Sequence, residues 1–165
     1  MTPPPTAVAP ADFRRVLGHF ATGVTTVTAF DPRTQRPSGL TVNSFVSVSL
    51  HPPLVSFCVR SISSSWPALR AADRLCINIL GFDQQGICAR MASADDDRFR
   101  GLDWALSPGG APALAGVVAW LEGSVEAEHE AGDHVIVVVR VHHLHERIGT
   151  RPLVFLRGEY GRFAR

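Results

Sequence analysis

The chain has 165 residues, 45% of them hydrophobic and 19% charged, and its formal net charge is +1. That length suits one domain, which buries about 70% of the surface its unfolded chain would expose. The near-neutral balance excludes a broad basic footprint for nucleic acid, no apolar run approaches the ~20 residues of a membrane-spanning helix, and the low charge fraction points to surface hidden against another copy.

The first eleven residues, MTPPPTAVAPA, hold four prolines and lack the basic-then-apolar order of a secretory signal. Residues 1–11 are therefore expected as a flexible tail ahead of one domain spanning 12–165. Residues 12–19, DFRRVLGH, predict a short helix with Asp12 as its N-cap. Residues 23–30, GVTTVTAF, are β-branched and strand-like, and the polar residues 31–39 form a loop.

Next comes GLTVNSFVSVSLHPP, residues 39–53. Its alternation predicts one strand with a buried apolar face. The remaining positions carry small neutral groups (Thr41, Asn43, Ser44, Ser47, Ser49) where a strand facing water usually shows Lys, Glu or Arg. Such a wall suits a flat, polar-edged ligand, and it equally suits a Ser/Thr-rich strand at an interface. Residues 54–60 form another strand. The serine cluster SISSSW (61–66) then leads into a helix starting at Pro67, with Ser64 or Ser65 as cap. A strand at 74–80, a helix at 84–91 and a loop with a helical turn at 92–112 follow. Two long strands, 117–129 and 134–144, meet at a hairpin turn over 130–133, and residues 152–157 form a last short strand. Dominant strands and few, short helices predict a mainly β, barrel-like fold.

Several chemistries lack their residues. There is no GxGxxG, and the GHFATG of residues 18–23 is followed by Val24-Thr25 with no lysine to reach a phosphate. GxSxG is absent, so a serine hydrolase is unsupported. His142, His143 and His145 alternate across a strand without neighbouring ligands at zinc spacing, and read as a polar strand. The acidic run 95–97 reads as a solvated loop. Cys58, Cys76 and Cys88 show no CxxC spacing and read as reduced core thiols of a cytoplasmic protein. Two features remain. Serine hydroxyls over 61–65, a helix start and Arg60 make a competent phosphate site, although capping alone explains one or two of the serines. Gly132-Asp133-His134 opens the apolar run VIVVVRV, where the histidine is either structural or aimed into a cleft.

In order along the chain, FRRVLGHFATGVTTVTAF (13–30), SGLTVNSFVSVSLHPPLVSFCV (38–59), SSSWPAL (63–69), CINILGFDQQ (76–85), FRG (99–101), GDHVI (132–136) and PLVFLRGEYG (152–161) together resemble the short-chain NAD(P)H:flavin reductases. The resemblance implies an FMN-binding split β-barrel, Greek-key-like, with short peripheral helices. It implies a homodimer that moves a hydride from NADH or NADPH to FMN or FAD and passes reduced flavin by diffusion to a partner monooxygenase. Neither nucleic acid, membrane nor metal is expected as a partner. By the same resemblance Pro37, Ser38, Gly39, Leu40, Thr41, Asn43 and Ser44 embrace the flavin ring. Cys58, Val59, Arg60, Ser64 and Ser65 hold its ribityl-phosphate side, and Arg90 and Met91 approach its distal end. His134 and Tyr160 fall near the nicotinamide, with His134 as an orienting residue. The chain departs from the pattern at Val139-Arg140, where a glycine and an acidic residue are common, so a narrowed cleft and altered charge are expected there. Two other readings stay open: a tightly held FMN serving another acceptor, and a noncatalytic flavin- or haem-binding module.

Overall fold

The computed structural model describes residues 8–93 and 97–163. Residues 1–7 of the expected tail, and Asp95 and Asp96 of the acidic run, lie outside the described residues. Among the described residues the chain forms twelve strands and three short helices. Seven strands form one antiparallel sheet in the order β3 (Pro37–Val42), β2 (Thr25–Phe30), β6 (Leu75–Ile79), β9 (Ala119–Ala131), β10 (His134–Glu146), β5 (Pro53–Arg60) and β4 (Val46–Leu50). β1 (Thr22–Gly23), β11 (Leu153–Leu156) and β12 (Glu159–Arg162) make a three-stranded flank, and β7 (Trp104–Leu106) pairs with β8 (Pro112–Leu114).

The sheet curls around a core of Val27, Phe57, Leu69, Leu75, Ile77, Val137 and Val139, all fully buried. Each such side chain contributes about 1.5–3 kcal/mol through the apolar surface it removes from water. A second cluster, including Val24, Leu80, Cys88, Met91, Phe99 and Leu153, lies beneath α3 (Gln85–Ala92). The β9–β10 turn is two residues long because Gly132 takes φ 65°, a left-handed conformation that costs glycine nothing.

GLTVNSFVSVSLHPP is not one strand. It breaks at Asn43–Phe45, and its halves become β3 and β4, the two edges of the seven-stranded sheet. In β3, Leu40 and Val42 point into the core as the alternation predicts. In β4 the apolar positions Val46, Val48 and Leu50 are exposed, so the expectation of a buried apolar face holds only for the first half. β4 turns into β5 through a cis His51–Pro52 peptide.

Other elements also differ from expectation. α1 (Pro10–Leu17) starts two residues early, with Ala9 as N-cap and proline in its first turn; Asp12 sits inside the helix and pairs with Arg15 at 2.9 Å. α2 (Trp66–Arg70) is five residues long, and its N-cap Ser65 makes no side-chain cap bond; Ser63 Oγ accepts the Trp66 N–H instead, at 3.3 Å. The loop expected over 92–112 contains β7 and leads into β8. The buried Asn78 side chain accepts the Leu114 N–H at 2.8 Å, and Thr28 donates to the Pro112 carbonyl, so core polar groups hold β8 against the sheet.

Candidate functional site

Where β3 and β5 end, the sheet leaves a cavity of about 530 Å³, within the usual range for small-molecule sites of about 300–1,000 Å³. One wall is Leu40 to Ser44, a second is Cys58 to Arg60, a third is the loop Ile62 to Ser65; Met91, Ala92, Arg98 and His134 complete it. Of the residues expected at the flavin, Leu40, Thr41, Asn43, Ser44, Cys58, Val59, Arg60, Ser64, Ser65 and Met91 line this one space, together with His134.

Ser44 shows why the strands meet here. β4 and β5 are in register at Val46↔Ser56, so two residues further along Ser44 faces Cys58. The backbone has already peeled away at that point. The Ser44 hydroxyl reaches back instead, accepting the Cys58 N–H at 2.8 Å and donating to the Cys58 carbonyl at 3.3 Å. One side chain thus replaces a rung of the ladder and leaves the split between β3 and β4 open as a cleft.

The remaining site residues are distributed around this space. Pro37 and Ser38 pair with Phe30 and Ala29 at the far end of β3, and are not among the cavity's lining residues. They were expected beside the ring, but a strand advances about 3.3 Å per residue, and Asn43 is five residues further on than Ser38. Gly39 also lies outside the lining, yet its lack of a side chain matters: a Cβ there would come within 3.1 Å of the Met91 sulfur and the Val27 carbonyl, so α3 packs directly on β3. Arg90 is exposed while its neighbours Cys88 and Met91 are buried, because the buried face of α3 repeats at three residues. Arg90 is absent from the cavity wall.

His134 begins β10 directly opposite Arg60 of β5. Its Nδ1–H donates to the Asp133 carboxylate at 2.7 Å. That bond, the histidine's charge and the nearby Arg60 hold the Asp133 carboxyl below its usual 3.8. Tyr160 is not in the same space. It lines an adjoining recess of about 130 Å³ with Thr41, Val42, Asn43 and Phe155, and its ring sits 5.2 Å from that of Phe155. Burial, and then the neighbouring Cys88 thiol, push its phenol up.

Val139 and Arg140 do not narrow or charge the cleft. Val139 is fully buried in the core, and Arg140 grips Glu126 across the outer face of β9 through bonds of 2.9 and 2.6 Å. Val139 is on the face of β10 opposite to His134, and Arg140, on the same face as His134, lies six residues further along the strand, about 20 Å away, so neither lines the cavity. Among the histidines further along β10, His142 bonds Ser124 at 2.9 Å and His145 lies over Trp120. Among the described residues no three potential metal ligands gather.

Arg98 is the residue that sequence reasoning missed. It sits between the acidic run and Phe99, and Phe99 is buried beneath α3. From there one guanidinium nitrogen, Nη1, donates to the Ser65 hydroxyl at 2.5 Å and to the Gly39 carbonyl at 3.2 Å. A lone arginine in a loop carries no periodicity; the only signal was its place just before the FRG segment.

Residues 17–164 match the model of the flavin reductase-like domain. The chain belongs to that family. A flavin reductase from Pseudomonas putida is 47% identical over 158 residues, covering 96% of this chain and 92% of that protein. The reductase subunit HsaB of a flavin-dependent monooxygenase from Rhodococcus jostii is 45% identical, covering 93% of this chain and 78% of that one. Among solved structures, the Streptomyces globisporus NADH:FAD oxidoreductase SgcE6, in complex with NAD and FAD fragments, superposes with a TM-score of 0.87 at 37% identity, over 96% of this chain and 97% of that chain. In this flavin reductase-like chain the cavity's own donors fit a flavin. Neutral hydroxyl and amide groups on the β3 side suit the polar edge of a ring, while hydroxyls and two arginines on the serine-loop side suit a phosphate. No helix among the described residues is long and apolar enough to cross a membrane.

Proposed function

We propose that this protein is an NAD(P)H-dependent flavin reductase that supplies reduced FMN or FAD to a monooxygenase component. The observation that carries this reading is the single cavity in which Thr41, Asn43 and Ser44, the serine loop, Arg98 and His134 converge. When bound, the flavin supplies the hydride acceptor and the nicotinamide the donor, so no side chain has to act as a nucleophile. The protein holds the two rings in register and limits water between them.

In this reading Leu40, Thr41 and Asn43 meet the ring, and Val59, Arg60, Ser64 and Ser65 meet the ribityl-phosphate side. Ser44 and Cys58 shape the seam against which the ring lies, and Met91 closes it from α3. His134, its ring oriented by Asp133, hydrogen-bonds the nicotinamide carboxamide. Tyr160 borders the approach from the far side of Thr41 and Asn43. Pro37, Ser38, Gly39 and Arg90 serve as support.

The working unit is a homodimer. Val46, Val48 and Leu50 expose the apolar face of an edge strand, and α1 buries no residue of its own while exposing Phe13, Val16 and Leu17. Beside it, Phe20 and Phe155 help line a groove of about 1,000 Å³ that shares Asn43 and Ser44 with the cofactor cavity. A second copy covering this surface would also border the flavin. Three unpaired cysteines suit the reducing cytoplasm.

The test is steady-state oxidation of NADH and of NADPH with FMN, FAD and riboflavin supplied in turn. Flavin-dependent turnover is expected with at least one donor; no oxidation with any flavin would refute the reading. Light scattering should return twice the chain mass of 17.8 kDa, and Val48→Lys should shift that mass towards one chain.

A further inference from the structure

We propose that a second cavity, between α2 and the β9–β10 hairpin, takes the adenosine half of FAD and so makes FAD rather than FMN the preferred flavin of this enzyme. The proposal rests on the flavin-binding reading above, with the flavin phosphate at the serine loop.

The second cavity has a volume of about 890 Å³, and Ser63 lines both it and the flavin cavity. Whatever a flavin carries beyond its phosphate therefore has open space directly across the serine loop. That loop is a fixed septum. The Ser61 N–H donates to the Asp133 carbonyl at 3.0 Å, the Ser63 N–H to the Arg60 carbonyl at 2.9 Å, and the Trp66 N–H to Ser63 Oγ at 3.3 Å. Ser63 Oγ thus accepts from the backbone and keeps its own proton to donate.

One wall of the cavity is built from α2 and β9. Trp66 packs edge-to-face on Phe57 in the core, with ring centres 5.8 Å apart. Its Nε1–H donates to one carboxylate oxygen of Glu128 at 3.0 Å, and Arg70 pairs with the other at 2.7 Å. Both oxygens are engaged, so the three side chains hold one another in place before a ligand arrives, which lowers the ordering cost of binding. The Arg70 side chain is otherwise exposed, and a planar guanidinium stacks on aromatic rings. Pro67, Ala71 and Val135 add apolar surface.

Charge decides which group fits. Two carboxylates, Glu128 and Glu130, line the cavity against one guanidinium, Arg70. The carboxylates outnumber the cation, and that balance disfavours a further phosphate. A neutral nucleoside suits it, with a purine for Arg70 to stack on and sugar hydroxyls that donate to the exposed Glu130. FMN ends at its phosphate and makes none of these contacts, whereas FAD continues through a second phosphate into adenosine.

The test compares dissociation constants for FAD and FMN on the full chain without nicotinamide, read from the absorbance of free flavin after ultrafiltration. The wild type should bind FAD roughly 10-fold more tightly than FMN, the worth of one or two hydrogen bonds. Ala71 is exposed at the end of α2, so Ala71→Trp fills the cavity without entering the core. This variant should bring FAD down to the affinity of FMN and leave FMN unchanged. Arg70→Gln keeps a donor for Glu128, loses the stacking plane and should weaken FAD alone. A wild type that binds FMN as tightly as FAD overturns the proposal, as does an Ala71→Trp variant that binds FAD like the wild type or weakens both flavins alike. Unchanged flavin binding with a raised KM for NADH in that variant would assign the cavity to the hydride donor, and also overturns it. A wild type that prefers FAD yet oxidises no NADH or NADPH would refute the reductase reading and leave this one standing. A wild type that binds neither flavin refutes both.

Discussion

Removing one hydroxyl at the seam, by Ser44→Ala, should destabilise the fold more than a half-exposed serine usually does. The Ser44 Oγ carries both polar groups of Cys58, the N–H at 2.8 Å and the carbonyl at 3.3 Å, at the position where the β4–β5 ladder would have continued. A net contribution of about 1 kcal/mol per bond gives about 2 kcal/mol, and an orphaned group kept from water raises the cost towards about 3 kcal/mol. For a chain of this size about 2 kcal/mol corresponds to roughly 4–8 °C in Tm. Thermal melts and urea titrations at one fixed protein concentration measure it. Ser44→Thr, which keeps the hydroxyl, should melt close to the wild type. Flavin affinity should fall with stability in the alanine variant, because Asn43 loses its anchored neighbour. If Ser44→Ala melts with the wild type while losing flavin affinity, the hydroxyl serves the ligand and the seam argument is wrong.

Other consequences concern the buried acid, the thiols and the β9–β10 turn. Glu122 is fully buried on β9, accepts the Gly109 N–H at 2.7 Å and lies 3.7 Å from Arg74 Nε. Glu122→Ala should cost about 2 kcal/mol, read by urea titration, with Glu122→Gln closer to the wild type; equal stability of all three would remove the carboxylate from the account. Burial, with Glu122 nearby, pushes the Cys76 thiol up to about 12, and Cys88 is buried with its thiol also pushed up. In the native protein a thiol reagent should therefore modify half-buried Cys58 first, flavin should slow that reaction, and denaturant should expose all three. Fast native labelling of Cys76 would contradict the packing. The Asp133 carboxyl titrates below its usual 3.8, chiefly through its bond to His134. Its contribution to the turn is thus present above about pH 4 and is lost as pH falls through the lowered value. His134→Ala should return the carboxyl to its usual range in an NMR titration; an unmoved carboxyl would show the bond to be absent in solution. The same variant should raise KM for the nicotinamide more than it lowers kcat, and complete loss of turnover with flavin still bound would make His134 an obligatory catalytic group.

Much of the site was legible because its pieces are local. Asn43, Ser44, Ser64, Ser65 and the Gly132-Asp133-His134 turn stand out as small polar or turn-forming residues bordering apolar runs, and β-branched or apolar runs bounded by turn residues located β2, β5, β6, β9 and β10 to within a few residues. The failures share a cause as well. β4 alternates as cleanly as β3, yet its apolar face is exposed, since a period of two says which residues share a face and not what covers it. The β7–β8 hairpin was missed because Asn78 and Thr28, rather than any strong strand pattern of its own, hold β8 in place.

By itself, then, the amino-acid order determined a mainly β chain, a tight hairpin at Gly132-Asp133 and a neutral polar wall running from Thr41 to Ser49. The tertiary structure alone decided that this wall breaks after β3, that the Ser44 hydroxyl is spent on Cys58, and that Val139 packs in the core while Arg140 pairs with Glu126 away from the cleft. It alone brought Arg98 to Ser65 and Gly39, 33 and 59 residues away. Periodicity is a property of neighbours along the chain. A hydroxyl's partner, or a guanidinium's, is chosen by whichever distant backbone the closed sheet brings within about 3 Å.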